Sequence, residues 1–171
     1  MVVRRIRPED VSAIHTIHTE CLTRSLRERY SDEQLAAWLS RRTPEGYLRA
    51  CASGEHFFVA ERQGVVVGFA SWRDNELLAL FVHPDEQLGV GIGLFAACVN
   101  DAASVGRAIT VVKATLDSIG FYERHEFKVA AHGGDTKRSV ERPHVLMRRG
   151  CNVVRPTRTP LAMQSNRGEK L

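Results

Sequence analysis

A glycine-rich segment in the middle of the chain constrains the fold more than any other feature of the sequence. Gly89, Gly91 and Gly93 lie between an apolar run at 77–82 and a helical pattern of apolar residues at 94–102. Glycine permits sharp turns and close approach of the backbone to a ligand. A helix that begins at such a loop directs unpaired N–H groups and the positive end of its dipole toward it. This order of strand, glycine loop and helix predicts a site that binds phosphate groups.

Two common phosphate-binding motifs do not fit this segment. A dinucleotide-binding fingerprint requires the spacing G-x-G-x-x-G in a first βαβ unit, whereas the glycines here are spaced G-x-G-x-G in mid-chain. A P-loop ends in Gly-Lys-Ser/Thr, and no lysine follows these glycines. We therefore do not expect a nucleotide kinase or a dehydrogenase.

Patterns on both sides of the loop predict one α+β domain at residues 1–149. Pro8, a capping box of Ser31 and Gln34, and the pair Thr43-Pro44 each mark the start of a helix. Another helix is expected at 117–125. Apolar or alternating runs predict strands at 2–6, 57–61, 65–72, 77–82, 109–114, 127–131 and 145–148.

The net charge of +4 raises the question of a polyanionic partner. The last 22 residues, 150–171, carry +3 of this charge, so residues 1–149 carry only +1. We interpret 150–171 as a flexible basic tail, because its composition is poor in core-forming residues. Nucleic-acid binding through the tail is a minor hypothesis, and the nearly neutral domain argues against it.

We expect neither a membrane span nor a secretion signal. No apolar run approaches the roughly 18–20 residues that a membrane helix needs, and the charged segment 1–9 lacks the apolar core of a signal peptide. The four cysteines are widely separated, which fits reduced thiols, and His15 and His18 have no third ligand at a recognisable spacing. The sequence therefore predicts a cytoplasmic protein without a bound metal.

Two motifs resemble the GNAT (GCN5-related N-acetyltransferase) family. Val82-His83-Pro84 followed by the loop at 87–94 resembles its motif A, V-x-P and then Q/R-x-x-G-x-G/A, which binds the pyrophosphate of acetyl-CoA. About 30 residues downstream, Phe-Tyr-Glu-Arg-His-Glu-Phe at 121–127 resembles its F-Y-E-x-x-G-F segment. The order of predicted elements extends the resemblance over residues 1–149. The resemblance implies a mixed, mostly antiparallel twisted sheet flanked by helices, with a splayed central strand that binds acetyl-CoA.

Several positions depart from the family pattern. Leu88 stands at the Q/R position of the loop, with Gln87 one residue earlier, and Glu126 stands where the family usually has glycine. Thr115 and Ser118 stand where relatives often have asparagine and alanine. Because the family uses the loop mainly through backbone N–H groups, we expect cofactor binding to survive these changes.

The resemblance also implies the residues that act on acetyl-CoA. Tyr122 corresponds to the general acid, and a phenol with a pKa of about 10 can donate its proton to a thiolate whose pKa is about 8.5. Backbone groups of the splayed strand are expected to hold the thioester and its oxyanion. The expected acetyl-CoA-binding residues are Phe81, Val82, Gln87, Leu88, Gly89, Val90, Gly91, Gly93, Leu94, Thr115, Ser118 and Phe121.

The general base is left open by the sequence. Many relatives carry a carboxylate on the central strand, but the corresponding residue here is Leu78. Glu76, which strand alternation places on the same face, is one alternative. His83 is another, and a water relay or an acceptor amine of low pKa would need neither residue.

The acceptor site is equally open. Arg24, Arg27 and Arg29 either bind an acidic acceptor or form a solvated helix face. Residues 135–142 are expected to form a loop that borders the acceptor site. We interpret Trp38 as a core residue rather than as a wall of that site.

These features predict an N-acetyltransferase that moves an acetyl group from acetyl-CoA directly to an amine acceptor of unknown identity. Cys98 lies on the buried face of its helix, which gives no reason to propose a covalent intermediate. The alternative is a non-catalytic acyl-CoA-binding regulatory protein, which Leu78, Leu88 and the missing base favour. A homodimer, formed through an exposed last strand or through the tail, is left open.

Overall fold

The computed structural model describes residues 1–40, 42–86, 89–137 and 140–150, with the backbone alone at 135–137 and 140–142. The predicted tail at 151–171 and the loop residues Gln87 and Leu88 therefore lie outside the described residues.

Five α-helices occur in the described part of the chain. The first of them, α1 (Val11–Glu20), continues directly into a π-helical turn at Cys21–Ser25, and a 3₁₀ turn at Pro8–Asp10 precedes it. The predicted capping box begins the second helix, α2 (Asp32–Leu39), where Gln34 N donates to Ser31 Oγ at 3.2 Å and Ser31 N donates to Gln34 Oε1 at 2.9 Å. The helices are α1 (Val11–Glu20), α2 (Asp32–Leu39), α3 (Pro44–Ala52), α4 (Val90–Ser104) and α5 (Ile119–Glu123).

Seven described strands form one sheet in the order β1-β2-β3-β4-β5-β7-β6. Only β4 and β5 run parallel, and every other neighbouring pair is antiparallel. The mixed, mostly antiparallel sheet flanked by helices confirms the predicted fold class. The strands are β1 (Val2–Arg5), β2 (His56–Arg62), β3 (Val65–Arg73), β4 (Glu76–Val82), β5 (Val111–Ala114), β6 (Lys128–Lys137) and β7 (Val140–Arg148).

The last two strands are longer than the sequence predicts. The expected loop at 135–142 is wrong for most of its length, because Asp135 pairs with Arg142 and Lys137 pairs with Val140 in an antiparallel ladder. The segment 133–137 contains two glycines and three polar residues, so it has no alternation of apolar side chains. Backbone hydrogen bonds to a neighbouring strand form without that alternation, which is why the pattern did not reveal the strand.

Apolar side chains fill both faces of the sheet. On one face, α4 contributes Val90, Leu94 and Cys98 to the larger cluster, which also holds Trp72 and Met147. On the other face, α1 and α3 contribute a second cluster, with Ile14, Ile17, Tyr47, Phe57 and Phe69 among its members. The central strands are therefore covered on both sides, which explains their nearly continuous apolar sequences.

Gly68 on β3 brings the first turn of α4 close to the sheet. A Cβ at this position would lie 3.0 Å from the carbonyl oxygen of Phe81 and 3.1 Å from the side chains of Val90 and Leu94. These distances are too short for a side chain without movement of β4 or α4. The missing side chain therefore lets the start of α4 pack directly beside the end of β4.

The central strands β4 and β5 separate after a short region of pairing. They pair only at Glu76 with Val111 and at Leu77 with Val112, whereas β4 remains paired with β3 as far as Val82. Leu78 is an extra residue in the β3–β4 ladder, between the pairs made by Leu77 and Ala79. Such a bulge bends its strand. The five residues 78–82 consequently leave β5 and open a gap in the middle of the sheet, as the splayed central strand predicts.

Candidate active site

A cavity of about 710 Å³ lies at the gap between β4 and β5. Its lining includes Leu80 and Tyr122, which belong with the apolar cluster on the α4 face of the sheet. It also includes Phe81 and Tyr47, which belong with the cluster on the α1 face. The cavity therefore reaches both faces of the sheet through the gap, so two molecules that enter from opposite faces can meet there.

The register of β4 decides which backbone groups face this gap. His83 N donates to Val67 O at 2.9 Å, and an antiparallel ladder alternates, so Phe81 is the next residue that bonds to β3. The N–H and C=O groups of Leu80 and Val82 are consequently directed toward β5. The sequence predicted Phe81 and Val82 for this role, and the register favours Leu80 over Phe81. Alternate residues of β4 direct their backbone groups toward β3 and toward β5. The sequence alone could not show which residues face which strand, because this depends on the register with β3.

One of these backbone groups already has a partner. Cys21 Sγ, at the start of the π-helical turn, donates to Val82 O at 3.0 Å. Burial raises the pKa of the Cys21 thiol to about 12, so it keeps the proton that it donates. The N–H of Val82 and both backbone groups of Leu80 remain directed into the gap.

The start of α4 presents backbone donors beside the gap. Gly89 is the N-cap, with φ of +84°, a left-handed conformation that favours glycine. Gly93 N donates to Gly89 O at 2.9 Å, whereas the N–H groups of Val90, Gly91 and Ile92 have no acceptor within the helix. These three donors and the helix dipole give the start of α4 the arrangement that the glycine pattern predicts for an anion site.

The other predicted loop residues contribute through packing. The side chains of Val90 and Leu94 are buried in the core, so only their backbone can meet a ligand. A Cβ on Gly91 would lie 3.6–3.8 Å from Leu80, Val82 and Phe121, beside the gap. A Cβ on Gly93 would lie 2.9 Å from Met1, so that glycine makes room for β1.

Tyr122 lies in the cavity wall on the α4 face. It is 5% exposed, and its ring packs against Phe121 and Phe127 at centroid distances of 5.1 and 5.8 Å. Burial raises the pKa of Tyr122 above its usual range, and the neighbouring Cys98 thiol adds to this shift. Its hydroxyl has no hydrogen-bond partner among the described residues. The side chain is therefore a protonated donor whose partner would come from a ligand.

Thr115 and Ser118 lie beside Tyr122 in the same wall. Thr115 Oγ1 donates to Ser118 Oγ at 3.0 Å, and Ser118 Oγ donates to the carbonyl of Thr115 at 3.0 Å. Glu126, which replaces the usual glycine, has a φ of +67° at the end of α5. The left-handed conformation explains why glycine is common there, and the glutamate tolerates it.

Neither predicted base lines the cavity. His83 Nε2 lies 3.1 Å from Glu20 Oε2, and His83 Nδ1 accepts a hydrogen bond from Asp85 N at 3.2 Å, so both ring nitrogens have partners outside it. Glu76 lies at the paired end of β4, before the gap opens. Leu78 does line the cavity, where it offers no proton acceptor. The lining therefore supports neither Glu76 nor His83 as the base.

The three arginines between the first helices have partners away from the cavity. Arg24 pairs with Asp85 at 2.6 Å, Arg29 pairs with Asp117 at 3.2 Å, and Arg27 lies 3.5 Å from Asp32. None of the three lines the cavity. Their arrangement favours the solvated-face interpretation over a site for an acidic acceptor.

A buried polar group on the α1 face was missed by the sequence analysis. His18 Nδ1 lies 3.1 Å from Arg42 Nη1 and 3.1 Å from Tyr47 Oη, and all three residues line the cavity. A guanidinium can only donate, so His18 Nδ1 accepts and the neutral ring carries its proton on Nε2. In the sequence, His18 lies close to Ile14 and Ile17 on an apolar helix face, and this pattern is typical of a core residue. Trp38 also lines this cavity, so its interpretation as a core residue is incomplete.

The neutral state of His18 predicts a pH dependence of stability. Burial, followed by the Arg42 and His15 charges, holds the pKa of His18 well below its usual value of about 6.5. The unfolded chain therefore binds a proton below pH 6.5 that the folded chain excludes, so stability falls as the pH drops. We expect His18 to contribute about 1–2 kcal/mol of the stability lost between pH 6.5 and 5.0.

Urea unfolding at the two pH values measures this contribution. His18→Gln should lose less stability than the unsubstituted protein on acidification, because glutamine has no proton to gain. His15→Gln, one turn away on α1, is the matched control; it removes only the smallest of the three causes named above and should keep most of the pH dependence. Equal pH dependence in all three proteins would contradict the expectation. His125, whose pKa burial also lowers, contributes equally to all three.

Known proteins resemble this chain in sequence and in fold. Residues 26–148, most of the chain, match the family model for an acetyltransferase (GNAT) domain. The chain belongs to the GNAT family of acetyltransferases. No curated protein sequence matches it significantly. Within the described residues, no helix of this GNAT protein has both the length and the apolar character needed to cross a membrane.

Solved GNAT structures have the same fold. A GCN5-related N-acetyltransferase from Rhodopseudomonas palustris is 26% identical, with a TM-score of 0.78 over 86% of this chain and 94% of its own. The PaiA N-acetyltransferase from Thermoplasma acidophilum, in complex with coenzyme A, is 21% identical, with a TM-score of 0.66 over 87% and 98%. A phosphinothricin acetyltransferase from Sinorhizobium meliloti, in complex with acetyl-CoA, is 16% identical, with a TM-score of 0.63 over 86% of each chain.

Proposed function

We propose that this GNAT protein transfers an acetyl group from acetyl-CoA directly to an amine, with Tyr122 as the general acid. The observation that carries the proposal is the place of Tyr122, a buried and protonated hydroxyl without a described partner in the wall of the cavity at the gap. Acetyl-CoA supplies the acetyl group as a thioester. A donor at this position can protonate the sulfur that leaves when the thioester carbonyl is attacked.

The residues beside the gap suit the parts of this cosubstrate. The N–H groups of Val90, Gly91 and Ile92, at the positive end of the α4 dipole, would bind the pyrophosphate. The backbone groups of Leu80 and Val82 that face the gap would bind the pantetheine arm and the thioester oxygen. The short polar side chains of Thr115 and Ser118 would line the path between them.

The transfer forms one carbon–nitrogen bond, breaks one carbon–sulfur bond and moves three protons. The amine nitrogen bonds to the acetyl carbon, the carbon–sulfur bond breaks, and Tyr122 donates its hydroxyl proton to the sulfur. The amine loses one proton to water, and solvent returns a proton to the Tyr122 oxygen. Because burial makes the phenolate costly, donation by Tyr122 accompanies cleavage rather than preceding it.

The neutral amine forms without a carboxylate at the central strand. Deprotonating a lysine-like amine of pKa about 10.4 at pH 7 costs roughly 4–5 kcal/mol. Leu78, Glu76 and His83 do not provide a base in the cavity, so we assign this step to water, helped by an acceptor of lower pKa. The same missing base supports the alternative of a non-catalytic acyl-CoA-binding regulatory protein.

A thiol-release assay with a panel of amines separates the two functions. Turnover of acetyl-CoA supports the enzyme, whereas tight CoA binding in calorimetry without turnover on any amine supports the regulatory protein. The full chain is used, since the contribution of residues 151–171 is part of the question. If the protein neither binds CoA nor turns over acetyl-CoA with any amine, both functions are refuted.

Gly89→Ala tests the pyrophosphate site. Alanine at φ +84° is strained by about 1–2 kcal/mol, and relief of that strain reorients the first N–H groups of α4. We expect the KM for acetyl-CoA to rise about 10-fold, the equivalent of 1.4 kcal/mol. Gly106→Ala is the matched control, because Gly106 has a φ of +72° at the far end of α4 and, like Gly89, open space around it. A similar KM change in both variants would contradict the assignment.

A further inference from the structure

The described lining of the cavity contains more cationic than anionic side chains on the α1 face. Its described lining contains Arg42, Arg73 and Lys113 but only one carboxylate, that of Glu55. This face is the one opposite Tyr122, where an acceptor would approach the gap. The exposed guanidinium of Arg73 in this lining attracts anions and repels polyamines.

Arg73 is an accessible cation of this wall. It is the last residue of β3, its side chain is exposed, and it has no ion-pair partner among the described residues. Arg24, Arg27 and Arg29, by contrast, each lie beside a carboxylate. The planar fork of a guanidinium matches a carboxylate with two parallel hydrogen bonds.

Arg42 is held in place in the same wall. Its Nε donates to the carbonyl of Trp38 at 3.0 Å, and its Nη1 donates to His18 Nδ1 at 3.1 Å. Because His18 is a neutral acceptor, it orients the guanidinium without cancelling its charge. His18 therefore acts as a positioning residue for a cation in the cavity wall.

Two buried polar atoms in the wall lack partners. Ser71 is fully buried on β3, and its Oγ has no hydrogen bond among the described residues. His18 is 2% exposed, and its Nε2 is likewise without a partner. Strand alternation places Ser71 and Arg73 on the same face of β3. Unpaired buried donors are uncommon, and both residues line the same cavity.

We propose that the acceptor is an amine that also carries a carboxylate, as an amino acid or the end of a peptide does, and that Arg73 and Arg42 bind this carboxylate. The inference rests on the acetyl transfer proposed above and names its acceptor class. Glu55 limits the net charge of the wall, so the geometry points to one carboxylate rather than to a polyanion. The amine end then extends toward the gap between β4 and β5.

Matched pairs of acceptors test the proposal. The probes are free amino acids, 4-aminobutyrate and a tripeptide, each paired with its carboxamide, and spermidine as a cationic amine. We expect kcat/KM for thiol release to be at least 10-fold higher for the acids. An α-carboxamide has a more acidic ammonium group than its acid, so ease of deprotonation would favour the amide and cannot produce this preference. Equal or better turnover of the amides or of spermidine would overturn the proposal.

The variant Arg73→Gln connects this preference to the site. It should lower the ratio of kcat/KM between acid and amide about 10-fold, mainly through the KM for the acid. Arg107→Gln, which removes an exposed arginine paired with Asp74 outside the cavity, should leave the ratio unchanged. An unchanged ratio in Arg73→Gln would overturn the assignment of that residue.

Calorimetry with CoA-saturated protein separates failure of this inference from failure of the proposed function. Turnover of amides or spermidine without a preference for acids leaves acetyl transfer standing and overturns the inference. Binding of acids that Arg73→Gln abolishes, without turnover of any amine, leaves the carboxylate site standing and overturns acetyl transfer. The absence of both acid binding and turnover overturns both.

Discussion

Replacement of Tyr122 by phenylalanine is expected to lower kcat by about 100-fold, the lower end of the contribution of a positioned general acid. Phenylalanine preserves the ring, which packs against Phe121 and Phe127, and removes only the hydroxyl. Thiol release at saturating acetyl-CoA measures the effect. The affinity for CoA and the unfolding temperature should change little, since the hydroxyl has no described partner in the folded chain.

Tyr30→Phe serves as the matched control for loss of a tyrosine hydroxyl. Tyr30 Oη donates to the carbonyl of Pro143 at 2.9 Å and accepts from Leu116 N at 3.2 Å, so its removal should reduce stability rather than kcat. A kcat for Tyr122→Phe within threefold of the unsubstituted protein would remove Tyr122 from the mechanism.

The raised pKa of Tyr122 adds an expectation for the unsubstituted protein. Because burial keeps the phenol protonated beyond its usual range, kcat should not decline between pH 8 and 10 through ionisation of Tyr122. A general acid with an ordinary pKa of about 10 would begin to lose activity within this interval. The pH profile therefore distinguishes the buried acid from an exposed one.

Replacement of Trp72 by alanine is expected to lower the free energy of unfolding by about 3–5 kcal/mol, as truncation of a large buried aromatic residue does. Trp72 is 1% exposed, and its ring lies 4.4 Å from that of His56. Its Nε1 also donates to Asp101 Oδ2 at 3.0 Å, which connects β3 to α4. Urea unfolding measures the loss.

Trp72→Phe divides this effect between packing and the hydrogen bond. Phenylalanine retains most of the apolar contact, and Asp101 keeps His56 Nδ1 at 2.8 Å and Arg5 as partners. We therefore expect a loss of about 2–3 kcal/mol, close to that of one hydrogen bond to a charged group plus a small cavity. A loss below 1 kcal/mol in Trp72→Ala would contradict the role of Trp72 as the link between β3 and α4.

This link also bears on the function, because α4 carries the proposed pyrophosphate site at its other end. Gly68 allows the first turn of α4 to approach β4, and Asp101 holds its last turns to β3 through Trp72. A rigid helix keeps the N–H groups of Val90, Gly91 and Ile92 at a constant position beside the gap. Stability and cosubstrate affinity are therefore expected to fall together in Trp72→Ala.

Features that depend on neighbours along the chain were predictable from the sequence. The capping box of Ser31 and Gln34, the left-handed turn at Gly89 and the apolar strand at 77–82 all follow from local backbone preferences and periodicity. The same holds for the order of elements around the glycine loop and for the place of Tyr122 in a short helix after β5. The family motifs are local patterns of this kind.

Features that depend on contacts between distant segments required the tertiary structure. The pairing of β4 with β3 decides that Leu80 and Val82, rather than Phe81, face the gap, and the loss of pairing with β5 opens it. The cavity wall proposed to bind the acceptor combines His18 of α1, Arg42 of the connection between α2 and α3, and Arg73 of β3, and no local pattern relates them. Sequence periodicity records which side of an element is apolar, whereas register and long-range packing determine which polar groups meet.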